Sequence, residues 1–170
     1  ERNSFMFGTQ PASAARARSL GYVRLPGASG DYVSTPDSAA LSIVGDLDLR
    51  VQASMDDWTP AAIQVLIAKD GVDATERSYT FYVNTDGTLV FGFSILGTVL
   101  VTKTSTVAPT ITDGAILWVR ATIDVDNGAA GYDVTFYTST NGTSWTALGD
   151  VVTTATATSI ADTTSIVTIG

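Results

Sequence analysis

From Asp46 to Met55 the chain reads DLDLRVQASM, and its positions alternate without a break. Leu47, Leu49, Val51 and Ala53 fall on one side, Asp46, Asp48, Arg50 and Gln52 on the other. A two-residue period sends successive side chains to opposite faces of an extended chain, so this stretch predicts a half-buried strand. Leu117 to Val125 repeats the pattern, with Leu117, Val119, Ala121, Ile123 and Val125 on one face and Trp118, Arg120, Thr122 and Asp124 on the other. Tyr132, Val134, Phe136 and Thr138 alternate with Asp133, Thr135, Tyr137 and Ser139. Ser78 to Asn84 predicts a strand with Tyr79, Phe81 and Val83 on one face and Tyr82 on the other. Ala62 to Lys69 is a largely apolar run ending in a charge, consistent with a buried strand. Shorter extended pieces are predicted at Gly21 to Leu25, from Tyr32, over Thr88 to Ile95 and over Thr98 to Thr106.

Turn residues separate these runs: Leu25 to Asp31, Ser34 to Asp37, Asp56 to Pro60, Asp70-Gly71, Leu96-Gly97 and Asp126 to Gly131. Asn84-Thr85-Asp86-Gly87 signals a hairpin. Asn141-Gly142 signals another, a type I′ turn whose two central residues both need positive φ. A tight turn there sets Thr138 opposite Trp145 and Phe136 opposite Ala147. Val134, Phe136, Trp145 and Ala147 then share one apolar patch, which makes Trp145 a core residue rather than a ligand platform. Strands recur every eight to twelve residues and no long segment has helical period. The pattern predicts an all-β fold of about ten to twelve strands, an antiparallel two-sheet sandwich. Residues 1–19 show no clear period and are expected to form an irregular N-terminal arm.

Composition adds boundaries to that picture. At 170 residues the chain is long enough for one domain with a sizeable core, and 45% hydrophobic against 15% charged residues makes it globular. The net charge of −8 argues against nucleic acid as the main partner, because phosphate binding needs clustered Lys and Arg. Residues 1–24 carry four arginines against Glu1, while the remaining residues carry five basic and sixteen acidic groups. The start reads either as a flexible leader or as a basic arm that docks on an acidic neighbouring subunit. With no cysteine, disulfides and thiolate metal sites are excluded. No apolar run has membrane-spanning length, and the first twenty residues lack the apolar region of a secretory signal. The opening Glu is consistent with a processed or partial chain.

Candidate chemistry is sparse. Without histidine the commonest general base is absent, with the triads and zinc sites built on it. Asp46/Asp48, Asp56/Asp57 and Asp124/Asp126 are the paired carboxylates. Residues two apart on a strand lie ~6.5–7 Å apart, compatible with an inverting glycosidase, yet the same spacing belongs to any solvated acidic strand. Asp124-Val125-Asp126-Asn127-Gly128 invites Ca2+, with Asp124 and Asp126 as metal candidates, but the stretch departs from the EF-hand spacing and an Asp/Asn turn explains it without metal. Trp58, Tyr82 and Tyr137 are candidates to stack on sugar, with packing as the alternative for each.

YVSTPDSAALSIVGDLDLRVQASMDDWTPAA, LWVRATIDVDNGAAGYDVTFYTSTNGTSWTALG and the terminal TSIVTIG together resemble the concanavalin A-like, laminin-G-like jelly-roll domains. The form they resemble occurs in virion proteins of phages infecting actinobacteria, often among minor tail proteins. The resemblance covers about residues 20–170 and is most specific around Asp46–Arg50 and Trp118–Gly142. It implies a twisted sandwich displayed on a phage particle, on the tail rather than the capsid surface, among other virion proteins and in a homo-oligomer, with a role in adhesion to host-surface glycan. The hydrolases of that family carry a Glu-x-Asp-x-x-Glu strand, absent here, and the histidine of legume-type metal sites has no counterpart. A non-catalytic chain without cofactor is therefore expected, not inserted in a membrane, with a soluble lectin or a glycosidase as alternatives. Such domains add one or two strands after the segment resembling SIVTIG, so the sheet is expected to lack its last strand unless a neighbouring chain covers the open edge.

Overall fold

Alternation of apolar and polar residues becomes eleven strands in the computed structural model, which describes residues 22–26, 30–71 and 75–170. In chain order they are β1 (Val33–Thr35), β2 (Leu47–Ser54), β3 (Gln64–Asp70), β4 (Arg77–Val83), β5 (Leu89–Ser94), β6 (Leu100–Thr104), β7 (Ile116–Asp124), β8 (Tyr132–Ser139), β9 (Thr146–Ala147), β10 (Val152–Thr154) and β11 (Val167–Ile169). The one helical element among the described residues is a 3-10 turn, Ala39–Leu41. Every strand pairing is antiparallel. A larger sheet runs β1-β11-β3-β4-β5-β6, and a smaller one runs β10-β8-β7-β2 with β9 also paired to β8. The fold is thus the two-sheet antiparallel sandwich expected from the sequence. The predicted arm, residues 1–19, lies outside the described residues.

The strand faces follow the alternation. Leu47 lies opposite Ile123, Leu49 opposite Ala121 and Val51 opposite Val119, while Ala121 and Ile123 lie opposite Phe136 and Val134. These side chains form one apolar layer of the smaller sheet. Tyr79, Phe81, Val83, Leu89, Phe91 and Phe93 supply the facing layer, and the two close a single core that also takes in Trp58, Leu148 and Ile160. The predicted Asn84–Gly87 hairpin closes β4 onto β5, with Asn84 N donating to Thr88 O at 2.9 Å and Gly87 at φ +80.

β11 lies inside the larger sheet, paired with β1 through Thr35–Val167 on one side and with β3 through Ala68–Thr168 on the other. Two expectations are corrected. Residues 22–25 carry no strand, and among the described residues the first one begins at Val33. The Asn141-Gly142 turn is not type I′. Gly142 has φ +72 but Asn141 does not enter the positive region. Its side-chain oxygen instead accepts the N–H groups of Thr143 and Ser144 (2.9 and 2.8 Å), and Ser139 Oγ accepts those of Asn141 and Gly142. The loop grows by one residue, and Tyr137 meets Ala147 while Thr138 meets Thr146. A one-residue slip turns side chains to the opposite face, so Trp145 leaves the core.

Lys69 is the most unusual core position. It lies opposite Tyr79, its side chain is 0% exposed, and its ammonium donates to Asp37 Oδ1 at 2.8 Å, to Ser165 O at 3.2 Å and to Thr163 O. The three acceptors match the three donors of an ammonium, which is how a buried charge avoids an unsatisfied penalty. Replacing Lys69 by Met keeps the stem and strands the acceptors. It is expected to destabilise the protein by about 3 kcal/mol and to lower the melting temperature by roughly 6–12 °C in a thermal unfolding scan; an unchanged melting temperature would contradict this role.

Candidate functional site

The outer face of the smaller sheet carries the residues that the alternation sends away from the core. On β2 these are Asp48, Arg50 and Gln52; on β7, Trp118, Arg120, Thr122 and Asp124; on β8, Asp133, Thr135, Tyr137 and Ser139. Register aligns Arg50 with Arg120 and Arg120 with Tyr137 in one row across three strands, and Gln52, Trp118 and Ser139 in the next. Trp145, displaced by the turn, joins this face at the start of β9.

Two arginines directly opposite on neighbouring strands repel each other. Asp48 resolves the conflict by binding both. Arg50 Nε and Nη2 donate to its Oδ1 and Oδ2 at 3.1 and 2.6 Å, and Arg120 Nε and Nη2 donate to the same oxygens at 2.9 and 2.9 Å. Each pair is a bidentate fork, the strongest geometry for guanidinium on carboxylate. Partial burial pushes the Asp48 carboxyl up, but the hydrogen bonds and charges of Arg50 and Arg120 outweigh it and hold the group below the ordinary carboxylate value.

Aromatic rings lock the guanidiniums from the other side. Arg120 lies 4.7 Å from the centroid of Tyr137 and 5.6 Å from that of Trp145, and Arg50 lies 5.7 Å from Trp145. Trp118 meets Trp145 edge to face, centroids 6.4 Å apart at 85°. Gly142 sits beneath Trp118: a Cβ there would stand 2.8 Å from Trp118 Cε2, so both the φ of +72 and the indole demand glycine. The result is a cluster of three half-buried rings and two oriented cations on an open sheet face.

The sugar-stacking candidates fare differently. Trp58 is 4% exposed and part of the core; its loop folds inward with Trp58 N donating to Asp113 Oδ1 at 2.9 Å, so it is no platform. Tyr82 is half-buried on the outer face of the larger sheet, across the sandwich from the cluster, flanked by Val65 and Val90. Tyr137 belongs to the cluster. The sequence offers no site reading for Trp118, Arg50 and Arg120, and it assigns Trp145 to the core. A Trp on the polar side of an alternating strand was the available signal for Trp118, whereas the turn geometry concealed Trp145.

The acidic candidates serve turns. Asp124 Oδ1 accepts the N–H of Asp126 and Asp126 Oδ1 that of Gly128, while Asp46 Oδ1 accepts the N–H of Val125. No group of three or more His, Cys, Asp or Glu able to hold a metal occurs among the described residues. Elsewhere, a shallow apolar groove of about 210 Å3 lies among Ile95, Leu96, Thr98, Val99 and Val101, beside β6. Among the described residues, no helix is long and apolar enough to cross a membrane. A comparison with known protein families and with curated proteins finds no match.

The carboxyls of Asp48 and Asp70 are shifted in opposite directions from the ordinary value. The folded value of Asp48 is depressed, so its contribution to stability is present above the unfolded value of about 3.9 and is lost as pH falls through the folded one. Burial raises the folded value of Asp70, only partly offset by Arg77 at 3.9 Å, so its contribution is present at low pH and is lost as pH rises through that value. Asp48→Asn is therefore expected to lower the urea midpoint at pH 7 and to converge on the parent protein near pH 2. An equal loss at both pH values would show that the ionised carboxylate is not what stabilises the cluster.

Proposed function

We propose that this chain is a non-catalytic component of a phage particle. It displays a lectin-like sandwich that holds host-surface glycan on the outer face of the smaller sheet. The single observation that carries the binding part is the Trp118–Trp145–Tyr137 platform with Arg50 and Arg120 fixed against it. Sugar rings present apolar C–H faces that stack on aromatic side chains, and their hydroxyls need donors at the ring edge, which guanidiniums supply. Half-buried planar groups gathered on one outer face are more than a core requires.

The absence of catalysis in this reading is supported by what the acidic groups do. Asp48 is bound by two arginines, and Asp46, Asp124 and Asp126 hold backbone N–H groups in turns. A hydrolase needs two carboxylates flanking an open bond site. The virion placement, on the tail, and the company of other virion proteins rest on the resemblance of residues 20–170 to the concanavalin A-like domains of phage particles. Contact with further copies of the chain is supported by the exposed Leu96 and Val99 beside β6, which ends the larger sheet. Neither nucleic acid nor a lipid bilayer is a partner in this reading, given the acidic surface.

Two measurements test it. Immunogold labelling of purified particles with antibody against this chain is expected to mark one fixed place; particles that stay bare while the chain is free in the lysate overturn the virion reading. Trp145→Ala is expected to reduce binding of the purified chain to host envelope glycan at least tenfold, with the melting temperature within a few degrees of the parent. Unchanged binding removes the platform from the function.

A further inference from the structure

We propose that the glycan held on this face is acidic, and that Asp48 is an internal stand-in for the carboxylate or phosphate it carries. This inference rests on the glycan-binding reading. Two guanidiniums converge on one carboxylate, so the cluster keeps a positive charge in a protein of net −8. Asp48 occupies the Nε and Nη2 donors of both arginines, and neither Nη1 makes a hydrogen bond among the described residues. The side chains of Arg50, Asp48 and Arg120 are 49, 34 and 20% exposed, so the bridge opens to solvent. Stacking on Trp145 and Tyr137 holds the guanidinium planes in place whether or not Asp48 does. An incoming anion therefore meets donors already oriented, which lowers the ordering cost of binding.

The same face also limits how much charge the ligand carries. Four residues along β7 from Arg120, about 13 Å away, Asp124 lies opposite Asp133. This acidic pair repels a continuous run of phosphates. An isolated anionic group next to a sugar ring fits: the ring packs into the corner between Trp145 and Trp118, and its carboxylate or phosphate reaches Arg50 and Arg120. Single-stranded nucleic acid also uses aromatics and arginines, but it needs a basic track along its backbone, which this flank denies.

Isothermal titration of the purified chain with tetragalacturonate, a glycerol-phosphate tetramer, cellotetraose and oligo-dT decides the matter. Asp48→Asn is expected to tighten binding of at least one anionic saccharide on the order of tenfold, because the internal competitor loses its charge. Arg50→Gln is expected to weaken the same probe by a similar factor, and rising salt to weaken it further. Cellotetraose should not respond to Asp48→Asn and should lose less to Arg50→Gln than the acidic probe does. The anionic probe that shows this opposed pair of effects tells a carboxylate source from a phosphate source. Binding of cellotetraose that equals that of the acidic probes, with each variant affecting neutral and acidic probes alike, overturns the acidic ligand and leaves the glycan reading standing. No binding of any probe overturns both. Weaker anion binding by Asp48→Asn overturns the stand-in role, and preference for oligo-dT reassigns the face to nucleic acid. Arg50 is half exposed, so Arg50→Gln is expected to fold; a melting scan on each variant checks this.

Discussion

The buried ammonium of Lys69 constrains more of the structure than any other single group. A charge with no access to water must find partners in the fold or the fold does not form. Its partners come from two distant stretches, Asp37 after β1 and the carbonyls of Thr163 and Ser165 before β11. The connection from β10 to β11 crosses between sheets without regular structure over residues 155–166. It stays in place because Lys69 gathers its end, Ser78 Oγ donates to Ala161 O at 2.8 Å, Ala161 N donates to Ser94 O, and Ile160 enters the core. With that connection fixed, β11 reaches its slot between β1 and β3. The larger sheet is then wide enough to cover the apolar layer beneath the candidate site.

Which parts of this were legible in the sequence follows from the range of the forces involved. The faces of β2, β7 and β8 depend on local alternation, and Leu47, Val119 and Phe136 lie where the period sends them. The two-sheet sandwich follows from repeated strands and turns. Lys69 was visible only as the charged end of an apolar run, since its acceptors are more than thirty residues away on one side and more than ninety on the other. The slot of β11 was hidden for the same reason: a three-residue strand carries no mark of its neighbours. Trp58 misled because a Trp in a polar Asp/Thr/Pro loop looks exposed, yet that loop folds back under the hydrogen bond to Asp113.

The candidate site was legible in pieces and not as a whole. Asp48, Arg50, Trp118 and Arg120 all stood on the polar sides of their strands, but the pairing that sets Arg50 against Arg120 requires the register between strands seventy residues apart. That juxtaposition is unfavourable by itself. It becomes stable through a shared carboxylate and flanking rings, so the groups that neutralise the repulsion also build the platform. Structural stabilisation and the proposed ligand recognition draw here on the same side chains.

The loop at Asn141 has a meaning beyond the hairpin it closes. Because its extra residue alone decides the phase of the returning strand, deletion of one residue between Ser139 and Trp145 would put Trp145 under the sheet, taking from Arg50 its ring contact and leaving Arg120 with Tyr137. Loop length thus acts as a binary setting for the whole outer surface. A lineage can acquire or discard this aromatic and cationic face by a single codon of insertion or deletion, leaving the strands that build the core unaltered.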